Sequence, residues 1–163
     1  MVSMSITEEL DTHHKALTLN LDSSIFGSFA EIGAGQEVAR WFLVVGAASG
    51  TVAKTISAYD KEVSDDLYGS GSRYESRQRL DAMLDREWTQ LLNQLDEARG
   101  SQTRFFCFVD TVSARNYAGT KLTVGSVCAF SGSLGASPTT FCYISTCRIP
   151  RIFSNRRPLA SWV

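Results

Sequence analysis

Patterned sequence begins at "ALTLNLD", Ala16 to Asp22, where apolar and polar positions alternate. A period of two puts Leu17, Leu19 and Leu21 on one face and predicts a strand. A second apolar run, "IFGSFAEIGAG", closes on Gly33 and Gly35. "QEVARWFLVVGAA" then changes period, with Val38, Trp41, Phe42 and Val45 at spacings of 3, 4 and 7 that predict a helix. Glu37 in its first turn suits the positive end of the helix dipole. "GTVAKTISAYD" fits a strand or a helix. "KEVSDDLYGSGS" is polar, and Gly69, Ser70, Gly71 and Ser72 mark a loop.

The clearest element runs from about Arg73 to Arg99. Leu80, Met83, Leu84, Trp88, Leu91, Leu92 and Leu95 recur at spacings of 3 and 4, a broad apolar stripe on a long helix. Glu75 stands one turn from Arg79 on the charged face. Gly100 supplies a C-terminal stop. "RFFCFVD", Arg104 to Asp110, predicts a strand buried on both faces. After Tyr117 the pattern weakens. "KLTVGSVCAF" reads as a strand, but neither an amphipathic helix nor clean alternation follows it. The expected fold class is α/β or α+β: an incomplete mixed sheet, one long amphipathic helix and an irregular C-terminal tail.

Composition sharpens that boundary. Of the 163 residues 44% are hydrophobic, enough for the core of one domain. All 17 acids lie in residues 1–110 with 10 of the 16 Lys and Arg, a balance of −7. The remaining 53 residues hold no acid, six bases, all three prolines and three of the four cysteines. Their bases are scattered among Ser, Thr, Cys and Phe rather than clustered, which argues against a nucleic-acid partner. No apolar run reaches the roughly 18 residues of a membrane span, and "MVSMSITEEL" lacks the order of a secretory signal. A cytoplasmic protein is the expectation. Residues 1–15 read as a polar lead-in, with His13 and His14 in solvent.

Few side chains propose chemistry. No two cysteines form a CxxC pair. In "FCYISTCRIPR", Cys142 and Cys147 stand five apart like a metal knuckle, and "ISTCR" is similar to a phosphate-binding ISTxxR segment of nucleotidyltransferases. No metal site is expected from the chain, and Cys107 reads as a small buried apolar residue. The stronger candidate is "AEIGAGQEVARWF". A strand that ends in a Gly-x-Gly turn and opens a helix brings backbone amides against a phosphate or a cofactor carboxylate. It resembles the first motif of Rossmann methyltransferases, with Glu31 as the acid and Gly33 and Gly35 in the turn. Glu37 stands where that motif has a third glycine. Asp60, 25 residues after Gly35, is the candidate ribose-binding acid. Asp110, after "FFCFV", is expected at a strand end, where α/β sites gather. Lys54 is a weaker candidate. The alternative is a strand–helix connection that uses glycine for geometry alone.

Three longer segments carry a wider resemblance: "LNLDSSIFGSFAEIGAGQEVARWFLVVGAASGTVAKTISAYD", "RYESRQRLDAMLDREW" and "FVDTVSARNYAGT". Over residues 16–120 the chain resembles a family of uncharacterised bacterial proteins, longer than this one. Its members carry inconsistent automatic names, among them TonB-dependent receptor and nicotinate-nucleotide adenylyltransferase. An outer-membrane barrel needs many alternating ten-residue strands, which this chain lacks. A nucleotidyltransferase of that type uses an HxGH motif, also missing here.

The resemblance stops near Thr120, where the family continues with a His-Gly-Trp sequence and later Gln-Gln-Gln-Glu. Codons that spell "KLTVGSVCAF", read two bases later, permit "THGWVCVRF". In the same frame "TTFCYISTCR" permits "DILLHINMP", and "FSNRRPLASWV" permits "QQQEALGILG". Residues 121–163 are therefore expected to be an out-of-frame tail, and 16–120 the N-terminal part of an α/β domain. Two functions stay open. One is a nucleotide- or cofactor-binding enzyme domain that uses the Glu31–Glu37 turn, the cofactor itself undetermined. The other is a non-catalytic binding or assembly module. An incomplete domain would also leave apolar surface for self-association.

Overall fold

A computed structural model describes residues 11–71 and 76–113 in full, and the backbone of 121–131 and 138–148. Strand β1 (Ile25–Gly33) runs parallel to β2 (Val52–Ala58) on one side and to β3 (Arg104–Val112) on the other. Strands β4 (Lys121–Ser131) and β5 (Pro138–Arg148) continue the sheet in antiparallel fashion. The order is β2-β1-β3-β4-β5. The expected mixed sheet is present, and so is the long helix, α4 (Arg77–Arg99). Two backbone segments beyond Thr120 add strands: Lys121–Ser131, readable as one in the sequence, and Pro138–Arg148, which the pattern did not announce. Glu75 lies outside the described residues.

The sheet is covered on both faces, which is why β1 and β3 are apolar nearly throughout. Toward α4 point Phe26, Ala30 and Ile32 of β1 and Phe105, Cys107 and Val109 of β3. They meet Leu80, Met83, Leu84 and Leu91 of the helical stripe. Toward helix α2 (Val38–Val44) point Phe29 and Phe106, which pack with Ala39 and Phe42. The strand edges are shaped by close approach. A Cβ on Gly27 would stand 2.2 Å from the carbonyl oxygen of Phe106, so the β1–β3 contact requires glycine there. "GTVAKTISAYD", ambiguous in the sequence, is strand β2.

Two segments differ from their sequence pattern. Thr12–Asn20 is helix α1, although Leu17, Leu19 and Leu21 alternate like a strand. Asp11 caps it by accepting the His14 N–H at 2.9 Å. At its other end the buried Asn20 donates to the carbonyls of Phe42 (2.8 Å) and Gly46 (2.7 Å). Capping and this tie to α2 outweigh alternation, and Leu19 and Leu21 are left exposed. Helix α1 thus begins inside the polar lead-in. His13 and His14 are exposed, His13 edge-on to Trp41 at 4.7 Å.

The second is "KEVSDDLY", read from the sequence only as a polar stretch ahead of the Gly69–Ser72 loop and found as helix α3 (Lys61–Tyr68). It lacks an apolar stripe, since only Ser64 and Tyr68 are buried. Asp60 starts it by accepting the N–H groups of Glu62 (2.8 Å) and Val63 (3.2 Å). Arg79 of α4 holds its end, donating to the carbonyls of Ser64 and Gly69 and to Ser64 Oγ.

Candidate functional site

Strands β2, β1 and β3 all point their C-terminal ends the same way, the edge where open α/β sheets bind ligands. Glu31, Gly33, Gly35, Asp60 and Asp110 all come to that edge. Glu31 and Asp110 are register partners on β1 and β3. Gly33 takes φ +85°, and a Cβ there would lie 2.2 Å from the Val112 carbonyl oxygen. Both facts demand glycine. The turn is pinned by the Ala34 N–H on that same carbonyl at 2.9 Å, and by Gln36 Nε2 on the Gly33 carbonyl at 3.0 Å. Gly35 lies over Asp110. A Cβ on it would come 2.2 Å from Val112 Cγ2 and 3.5 Å from Asp110 Oδ2.

The acids at this edge do different things. Glu31, 4% exposed, accepts the Val38 N–H through Oε1 at 2.7 Å and the Ala39 N–H through Oε2 at 3.0 Å. It is thus the anion at the start of α2. Glu37, the residue adjoining that helix, makes no capping bond with its side chain. Two of the amides that a phosphate would need are already taken, and α2 is only seven residues long. The phosphate cradle read into "GAGQEV" is therefore filled by a carboxylate from the preceding strand. Asp60 is exposed and caps α3 through Oδ1.

Asp110 is different. It is 5% exposed, and its Oδ1 has no hydrogen-bond partner among the described residues. Burial, then the neighbouring charge of Glu31, push its carboxyl up to about 8, against a smaller opposing pull from a hydrogen bond with the Ile32 backbone. At neutral pH it holds a proton that an ordinary Asp has lost. A carboxyl with such a poise, two residues before the C-terminal end of β3, has the form of a group that exchanges a proton or accepts a ligand.

A second polar cluster sits beneath α4, and little in the chain's pattern announces it. Glu87, wholly buried, stands on the apolar stripe between Leu84 and Leu91. Lys54 Nζ of β2 approaches its Oε2 to 2.6 Å, and Tyr68 Oη donates to its Oε1 at 2.9 Å. Lys54 also donates to Gln90 Oε1 at 3.0 Å. Burial first, and then the Glu87 charge, raise the Tyr68 phenol well above its ordinary value. Burial also pushes the Cys107 thiol up to about 12, partly offset by the Ser28 hydroxyl 3.6 Å away, so this cysteine is an inert packing group. One signal was available: an acid at helical spacing within an apolar stripe needs a cation. Lys54 is that cation, and this pairing accounts for its place.

Among the described residues no group of three or more His, Cys, Asp or Glu could hold a metal ion. The side chains of Cys142, Cys147 and the "ISTCR" segment lie outside the described residues. No described helix is long and apolar enough to cross a membrane.

These layers define a class: a mixed five-stranded sheet with parallel β2, β1 and β3, α4 on one face and α1 and α2 on the other. Solved structures of competence- and damage-inducible proteins share it. The protein from Enterobacter asburiae superposes with a TM-score of 0.54 at 12% identity, covering 86% of this chain and 85% of its own. The CinA-superfamily protein from Enterobacter cloacae gives 0.53 at 12% identity, with 92% and 85% covered. The CihA protein from Agrobacterium tumefaciens gives 0.51 at 16% identity, with 88% and 84% covered. At such identities the likeness concerns the fold. No family model and no curated relative matches the chain.

Proposed function

We propose that the chain is a nucleotide- or cofactor-binding domain of cytoplasmic bacterial enzymes, with its ligand at the C-terminal edge of β1 and β3. The observation that carries this reading is Asp110. A carboxyl oxygen without a partner among the described residues, in a residue 5% exposed, costs free energy that a purely structural site would avoid. A Cβ on Gly35 would come 3.5 Å from Asp110 Oδ2 and 2.2 Å from Val112 Cγ2, so glycine lets the turn lie close over the carboxyl. The ligand lies on the Asp110 side of the turn and not on the α2 amides, because Glu31 occupies those. Nucleotide adenylyl transfer, one name carried by the resembling family, is not part of the reading, since the chain has no HxGH motif.

A non-catalytic binding or assembly module is the second reading. It is favoured by the structural duties of Glu31 and Asp60, two of the site acids read from the sequence. A calorimetric panel of ATP, NAD and S-adenosylmethionine separates the two. The first reading expects at least one to bind wild type and to bind Asp110→Asn about tenfold more weakly or worse, since hydrogen bonds to charged groups contribute roughly 1.5–3 kcal/mol. Asn keeps the shape of Asp, so circular dichroism should be unchanged. No binding to any of the three would favour the module.

A further inference from the structure

We infer that the ligand meets Asp110 with a positively charged amine and not with a phosphate. The inference rests on the ligand-edge reading above and names the chemistry that edge selects. The side of β1 and β3 that faces α2 carries two buried acids near its C-terminal end, Glu31 and Asp110, in register on adjacent strands. The only base on that side of either strand is Arg104. It lies six residues from Asp110, roughly 20 Å along the strand, and donates to Ser24 Oγ. Across the sheet the contrast is direct, because buried Glu87 has Lys54 at 2.6 Å.

Groups around Asp110 point the same way. Glu31 on β1 adds negative charge. The turn above offers Gly35 with no side chain, and the register partner on β4 is Ser126. Glu37 and Arg40, the charged residues at and beside the start of α2, are exposed. The Val38 and Ala39 amides that would welcome a phosphate are bound to Glu31. A phosphate would therefore stand beside the Glu31 carboxylate with the Val38 and Ala39 amides already taken, a like-charge juxtaposition that costs several kcal/mol. An ammonium group would give Oδ1 a donor where none stands among the described residues. It would also displace the proton that Asp110 holds, so that binding releases a proton to solvent.

The test compares two ligands that share adenosine and differ in the charged end: S-adenosylmethionine and ATP. Calorimetry at pH 7 should show the first at least about tenfold tighter than the second. From pH 7 to pH 6 its affinity should fall about tenfold, as protons compete for a carboxyl poised near 8. Heats measured in two buffers of different ionisation enthalpy should report close to one proton released per ligand. Asp110→Asn should abolish that release. ATP binding as tightly as S-adenosylmethionine, sensitive to Asp110→Asn but without proton release, overturns this inference and leaves the ligand edge standing. Binding of neither overturns this inference, and failure of NAD to bind as well overturns the ligand edge. Proton-linked binding that survives in Asp110→Asn overturns the role of Asp110.

Discussion

Glu31 and Asp110 lie side by side on parallel strands, and among the described residues only Glu31 finds partners for both oxygens. The free energy of that arrangement depends on pH through Asp110. Its folded-state carboxyl is raised from 3.8 to about 8. The raised group binds its proton more tightly when folded, so its contribution is complete below about pH 4 and is lost as pH rises toward 8. Within that window each pH unit removes up to about 1.4 kcal/mol. Urea melts should therefore show wild type losing stability from pH 5 to pH 8 relative to Asp110→Asn. Parallel pH profiles for the two proteins would contradict this.

Glu31 acts on α2 rather than on a ligand. Glu31→Gln replaces one accepting oxygen by a donor, so either Val38 or Ala39 loses its partner. The expected cost is about 1.5–3 kcal/mol, the range for hydrogen bonds to charged groups. Amide exchange should speed up first in Val38–Val44, ahead of β1. Unchanged protection of α2 would count against the clamp.

The Lys54–Glu87 pair predicts an asymmetry. Lys54→Met leaves a wholly buried carboxylate with Tyr68 and no cation, at a cost of about 3–5 kcal/mol. Removing both charges, as Lys54→Met with Glu87→Leu, should restore most of that stability, because apolar packing replaces the pair at little net cost. A double variant as unstable as the single one would show that the network contributes more than its charges. Chemical denaturation of the three proteins decides it.

Much of this architecture was legible because it is local. Residues 80 to 95 announce α4 through one stripe, and "FFCFV" announces a strand buried on both faces. The α1 segment was misread because three leucines at period two imitate a strand, while the deciding contacts are the Asp11 cap and the bonds from Asn20 to Phe42 and Gly46. The α3 segment has no stripe, yet an Asp60 cap, Glu62 in the first turn and the Lys61–Asp65 pair at 2.8 Å were all present in "DKEVSD". At the site, the glycine turn and the strand-end Asp110 were visible. The occupation of the α2 amides by Glu31 was not, since it depends on how the chain folds back after Gly35. The joining of Lys54, Tyr68 and Glu87 spans 33 residues of sequence and has no local pattern.

Solved structures of the same fold cover 86–92% of the chain, which carries the likeness past Thr120 into the antiparallel strands. The out-of-frame tail expected from the sequence is therefore not supported.

The account rests on one carboxyl, and carbon-13 NMR reads it directly. With Asp carboxyl carbons labelled, and the Asp110 signal assigned by its loss in Asp110→Asn, the titration should have its midpoint near pH 8. A midpoint near the ordinary value of about 4 would mean that Asp110 is solvated or already paired, and the ligand edge proposed around it would not stand.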